Sequence, residues 1–116
     1  MSNIREYLKN NIVYLDGGMG TLLQKRGLQP GELPERWNVT HPDIIVELQK
    51  AYYDAGSNVV SANTFGANSL KFDEDELTKL VETAIDNTRK ARIWCGRWLE
   101  IDACLRHVGC EEIRHA

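Results

Sequence analysis

Residues 11–27 read NIVYLDGGMGTLLQKRG. A short apolar run, Ile12 to Leu15, ends on an aspartate, and three glycines follow at Gly17, Gly18 and Gly20. An apolar run without alternation is the pattern of a parallel strand buried on both faces. Glycines there supply the backbone freedom of a tight strand-to-helix turn. Thr21 to Arg26 then makes about a turn and a half of helix, and Gly27 suits its C-terminal cap. The unit is strand, turn, helix.

The same order recurs downstream. Thr40 is the predicted N-cap of a helix with Pro42 and Asp43 in its first turn. Ile44, Ile45, Leu48, Ala51, Tyr52 and Ala55 form one apolar face at helical spacing, and Gly56 ends it. Residues 58–63, NVVSAN, make a second short strand, and residues 64–69, TFGANS, a second turn. A second long helix is predicted from Glu74 to Ala91, with Leu77, Leu80, Val81, Ala84 and Ile85 inward. Its acids, Asp73 to Glu76, face the positive end of the dipole, and Arg89 and Lys90 the negative end. Residues 2–10 read as a short helix. Residues 28–38, LQPGELPERWN, read as a loop broken by Pro30, Gly31 and Pro34. Strands alternating with helices point to an α/β fold of parallel strands joined by right-handed crossovers. In such folds ligands bind beyond the C-terminal ends of the strands. Asp16 and Asn63 both fall there.

Composition narrows the function classes. The chain has 116 residues, 42% hydrophobic and 27% charged, with a net charge of −3. That fits one small soluble domain and gives no basic footprint for nucleic acid. No apolar run has the length that spans a bilayer, and the polar start is unlike a signal peptide. A cytoplasmic location is expected. The three cysteines, Cys95, Cys104 and Cys110, all lie in the last quarter. An odd number without a C-x-x-C is not a disulfide framework. A zinc site from these three with His107 or His115 is a weaker reading, because structural zinc ligands are usually closely paired.

Three readings of the Asp16–Gly20 turn stand open. A phosphate cradle would need a third glycine in G-x-G-x-x-G, which is missing, and Asp16 would repel the phosphate. A purely structural turn needs only the glycines and an Asp bonded to its own turn. The third reading is an amino-acid site: Asp16 takes an ammonium and the exposed N–H groups of Gly17 and Gly18 take a carboxylate, both charge-assisted.

The stretches D-G-G-M-G-T at 16–21, E-R-W-N-V-T-H-P-D at 35–43, A-Y-Y-D-A-G at 51–56 and N-T-F-G-A-N at 63–68 resemble the homocysteine S-methyltransferase family. Within it, they are most similar to the homocysteine-binding barrel of cobalamin-dependent methionine synthases. The resemblance covers roughly residues 11–92 and implies the first β/α units of a truncated (β/α)8 TIM barrel. It implies methyl transfer to the thiol of homocysteine, with zinc holding the sulfur as thiolate and, depending on the member, methylcobalamin as carrier, a folate-derived corrinoid system, betaine or S-methylmethionine as donor. It places Asp16, Gly17 and Gly18 at the amino-acid end of homocysteine, and Asn63, Thr64 and Phe65 along the pocket. Gly66 stands where betaine-using members carry tyrosine, which favours the cobalamin branch.

The chain departs from the family in two ways. Such a barrel takes about 250 residues, and the family's zinc cysteines sit late, after strand six and near strand eight. Cys95, Cys104 and Cys110 match none of them, so no metal ligand is carried over. Residues 1–92 are therefore expected to be the N-terminal part of the barrel. Residues 93–116 are expected to be a divergent or frameshifted tail, helical or disordered, with Trp94, Trp98, Ile101 and Leu105 on one helix face. Two parallel strands make a poor independent sheet with an open edge. An incomplete, inactive chain that self-associates or needs a complementing chain is expected. A non-catalytic interaction module, or another TIM-barrel enzyme binding a small amino acid, are the alternatives. Elsewhere, Trp37 is expected to pack under the loop, Asn38 to help cap the helix, Glu35 to sit at the surface or bond to the loop, with an approach to the pocket as the alternative, His41 to be exposed and Met19 to pack. Only one of Tyr52 and Tyr53 can face the core.

Overall fold

The computed structural model describes residues 4–94. The elements are α1 (Ile4–Asn10), α2 (Gly20–Lys25), a 3-10 turn at Pro34–Arg36, α3 (Trp37–Thr40), α4 (Pro42–Ala55) and α5 (Glu74–Trp94). Of the expected divergent tail, residues 93–116, positions 93 and 94 end α5 and the rest lies outside the described residues.

Among the described residues neither expected strand forms a regular strand; the two segments pair at one parallel bridge, Leu15 with Val59. Around it the Asn58 N–H donates to the Tyr14 carbonyl at 2.8 Å, and the Tyr14 N–H to Asn58 Oδ1 at 2.9 Å. The described residues therefore show two β/α-like units in the expected order, mostly helical, without a named strand or a closed barrel. Burial of Ile12–Leu15 on both faces is not observed. Ile12 is 70% and Leu15 69% exposed. A strand is buried on both faces only between neighbouring strands and covering layers, and among the described residues those are missing on this side. The second segment fares better: Val60 is fully buried against Tyr53 and Ala91.

α4 starts one residue later than Thr40 suggests. Residues 37–40 form α3, and His41 (φ −135°, ψ 53°) is the break before Pro42. Thr40 Oγ1 donates back to the Arg36 carbonyl at 3.2 Å and caps nothing. Pro34 likewise opens a turn where a plain loop was expected, because proline is tolerated at a first helical position. Gly56, at φ 118°, closes α4. The N–H groups of Gly56 and Ser57 cap the last turn on the Tyr53 and Tyr52 carbonyls, which left-handed glycine makes easy.

The buried face of α4 is Ile45, Leu48, Gln49 and Tyr53. Ala51 and Ala55 are exposed. The face is rotated from the expected one because Gln49, polar in sequence, is fully buried. Its Nε2 donates to Thr88 Oγ1 on α5 at 3.1 Å and to the Ser61 carbonyl at 3.2 Å. α5 follows its expected stripe through Leu77, Leu80, Val81 and Ala84 and runs on to Trp94. Asp73 caps it, Oδ1 accepting the Glu76 N–H at 2.8 Å. Among the described residues no helix is long and apolar enough to cross a membrane.

Asn38 does not cap α4 but is fully buried among the helices. Its Nδ2 donates to the carbonyls of Asn63 (2.9 Å) and Leu80 (3.3 Å), and its Oδ1 accepts from Asn63 Nδ2 at 3.0 Å. Its carbonyl accepts Asn87 Nδ2 at 3.1 Å. Buried polar groups left without partners are costly, about 1–3 kcal/mol each. Asn38→Ala removes three buried hydrogen bonds and leaves the Asn63 carbonyl without this partner, and it is expected to lower urea-unfolding stability by about 1–3 kcal/mol. Asn11→Ala, which loses one exposed bond, is expected to be near neutral by the same measurement.

Trp37 packs as expected. It is buried, its Nε1 donates to Glu32 Oε1 at 2.6 Å, and its ring stacks on exposed His41 at 4.0 Å. Glu32 Oε2 accepts the Gln29 N–H at 3.0 Å. These two donors, Gln29 first and Trp37 second, hold the Glu32 carboxyl below its ordinary value of 4.5. A carboxyl depressed in the folded state contributes stability above its unfolded pKa and loses it as pH falls through the folded one. Thermal stability of the wild type is expected to decline as pH drops below 4.5, and Glu32→Gln to flatten that acid-side slope in a melting series.

Candidate active site

The turns after the two extended segments meet at an open pocket of about 370 Å³. Its wall includes Asp16, Gly17, Gly18, Glu35, Asn63 and Phe65. Spacing alone had put Asp16 and Asn63 at one rim, and the structure brings them together.

Asp16 is half-buried, and both of its oxygens are engaged. Oδ2 accepts the Ser61 N–H at 2.9 Å and Oδ1 the Ser61 hydroxyl at 3.1 Å. The carboxylate is therefore not the free group that the sequence suggested. It ties the first turn to the end of the second segment. Each oxygen has a further lone pair, so Asp16 still offers acceptors to the pocket it lines.

The glycine turn is held from behind. Tyr52 Oη donates to the Gly18 carbonyl at 2.6 Å, and Ser57 Oγ to the Leu15 carbonyl at 3.2 Å. The sequence placed Tyr52 on the core face of α4. The structure gives that place to Tyr53 and turns Tyr52 to the glycines. Space at Gly17 is tight, since a Cβ there would stand 3.0 Å from Tyr52 Oη. Gly17 and Gly18 are exposed. Met19 packs on the cluster of Leu23, Leu28, Trp37, Ile45 and Leu48, as expected.

The second turn divides its residues. Asn63 lines the pocket but offers it no amide hydrogens, because Nδ2 donates to the Pro34 carbonyl at 2.9 Å and to Asn38 Oδ1 at 3.0 Å. Thr64 is 1% exposed and lies behind the pocket rather than in its wall, its hydroxyl without a partner. Phe65 stands at the rim, 94% exposed.

Glu35, expected at the surface or bonded to a loop, is 4% exposed and lines the pocket. Its Oε1 accepts the Gly66 N–H at 2.6 Å, so it joins the 3-10 turn to the second turn. One signal was available: Glu35 and Asn38 are three apart, hence neighbours on one face of a helical turn, and both point inward. Among the described residues, no three His, Cys, Asp or Glu side chains come together to hold a metal ion.

Steric pressure from Tyr52 on position 17 can be measured. Gly17→Ala is expected to destabilise the chain, and less so in a Tyr52→Phe background, where Oη is gone. A double-mutant cycle in urea should return a coupling of about 1 kcal/mol.

Two comparisons bear on this site. The family model described as homocysteine S-methyltransferase matches residues 13–107. Among solved structures, the chain is similar to the homocysteine methyltransferase MmuM from Escherichia coli in its oxidized form, at 27% identity and a TM-score of 0.68. The match covers 78% of this chain and 34% of that one, so the chain spans about a third of the length of this relative. The match takes in both turns that line the pocket, and the chain belongs to the homocysteine S-methyltransferase family.

Proposed function

We propose that this chain provides the amino-acid end of a homocysteine pocket in an enzyme that moves a methyl group onto the homocysteine thiol, giving methionine. The observation that carries the proposal is the pocket itself. Asp16 and the exposed Gly17–Gly18 turn share one wall, and among the described residues no Lys, Arg or His side chain lines it. An ammonium finds the Asp16 carboxylate there, and the neighbouring N–H groups face the ligand's carboxylate. Both contacts are charge-assisted and stronger than neutral hydrogen bonds. Ser61 fixes the Asp16 carboxylate in advance, so little ordering is left to the binding step. In the reaction the sulfur loses its proton and forms the S–C bond as the methyl leaves its donor.

The remaining strands of the barrel, on the same polypeptide or on a complementing chain, are proposed to cover Ile12–Leu15 and to supply the sulfur end. The architecture so completed is a (β/α)8 barrel of which residues 4–94 are the opening units. The family is generally zinc-dependent. The described residues do not form a zinc site, so what they are assigned is binding and orientation of the amino-acid end. Cobalamin is the proposed methyl carrier. Gly66 supports that choice, because a Cβ there would stand 2.6 Å from Glu35 Oε1 and a tyrosine would displace the buried carboxyl.

Calorimetric titration tests the site. Homocysteine and methionine are expected to bind the wild type, and Asp16→Asn, which keeps an oxygen for Ser61, to weaken both about tenfold or more. Unchanged affinity in Asp16→Asn would remove the proposed role of the carboxylate.

A further inference from the structure

Glu35 carries a feature that the amino-acid end of the pocket, as described so far, does not use. Its Oε1 is bonded to the Gly66 N–H, but its Oε2 is buried without a hydrogen-bond partner. The side chain is 4% exposed and belongs to the wall that also holds Asp16. Lys71 reaches Gly66 from the outside, its Nζ 3.1 Å from where a Cβ would stand, yet Lys71 is exposed and forms no ion pair with Glu35. Lys71 thus brings a positive charge near Oε1, while Oε2 stays buried without a hydrogen-bond partner. Desolvating a charged oxygen with no partner is strongly unfavourable. A cation delivered by the ligand would remove that penalty.

We propose that Glu35 is a second, specificity-determining carboxylate of the pocket, its Oε2 pairing with the ammonium of the bound amino acid alongside Asp16. The terminal torsion of a glutamate is soft. A small turn of the carboxyl presents Oε2 to the ammonium while Oε1 keeps the Gly66 N–H. Two carboxylates and no lining cation make the pocket selective for a positively charged head group. Gly66 belongs to the same device, because any side chain at that position would push Oε1 out of place. The assignment rests on the amino-acid reading of the pocket given above.

The test is calorimetric titration of the full chain with homocysteine and with its des-amino analogue, which keeps the thiol and the carboxylate. Glu35→Gln keeps an oxygen for the Gly66 N–H and removes the charge. It is expected to weaken homocysteine about tenfold or more and to leave the analogue unchanged. Gly66→Ala, which displaces the carboxyl without removing it, is expected to give the same selective loss and serves if Glu35→Gln does not fold. Equal loss for both ligands, or undiminished homocysteine binding in the variants, would overturn the role of Glu35 and leave the amino-acid reading standing. A wild type that binds neither ligand would overturn both.

Discussion

The paired hydrogen bonds from Ser61 to Asp16 are the constraint on which the site depends. The first extended segment ends at Asp16 and the second passes through Ser61, and these two bonds tie them at the rim. The backbone alone contributes only the contacts around Leu15 and Val59, too few for an independent sheet. One carboxylate thus does two jobs that elsewhere fall to separate groups. It sets the spacing of the two turns, and it lines the pocket that they enclose. A side chain fixed in this way loses little freedom when a ligand arrives, which is the condition for a well-oriented charged contact.

Behind the rim, polar groups rather than apolar ones determine how the layers meet. Asn38, Asn63 and Asn87 link α3, the second turn and α5, while Gln49 and Thr88 link α4 to α5. Apolar packing sits to either side, with Leu23, Trp37 and Ile45 in one cluster and Phe72, Leu77 and Leu80 in another. Apolar contacts tolerate small slides, whereas a network of directional bonds admits one register. The same three asparagines connect the pocket wall to the longest helix, so the position of Asn63 at the pocket is set by residues that never touch it.

How much of this was legible depends on what kind of residue makes each contact. The helices α4 and α5 follow from apolar spacing and from their end signals, Gly56 and Asp73, which act as their chemistry requires. The order of the two strand–turn–helix units was legible too, as was the meeting of Asp16 with Asn63. What escaped was the burial of Gln49, Asn38 and Glu35. Gln49, Asn38 and Glu35 count as surface in any hydropathy pattern, so the face of α4 was placed a fraction of a turn away from where it lies. Tyr52 and Tyr53 were ambiguous for a related reason: both are amphipathic, and the need of the Gly18 carbonyl for a donor decides between them. The strands were overread because their apolar pattern describes a sheet with more neighbours than the described residues contain.

That overreading bears on how binding and stability are linked. Ile12, Tyr14 and Leu15 are exposed, and Asp16 follows them directly in the chain. Phe65, at the other edge of the pocket, is exposed as well. The apolar side chains without cover and the pocket lined by Asp16 are therefore adjacent parts of one surface. Whatever packs on Ile12–Leu15 both removes apolar area from water and stiffens the segment that ends in Asp16, the carboxylate proposed to bind the ligand. Covering the segment then favours binding, and binding favours the covered state, since anything that holds the folded form selectively shifts the equilibrium toward it. Affinity at Asp16 and assembly along this edge are in that case two measures of one free energy.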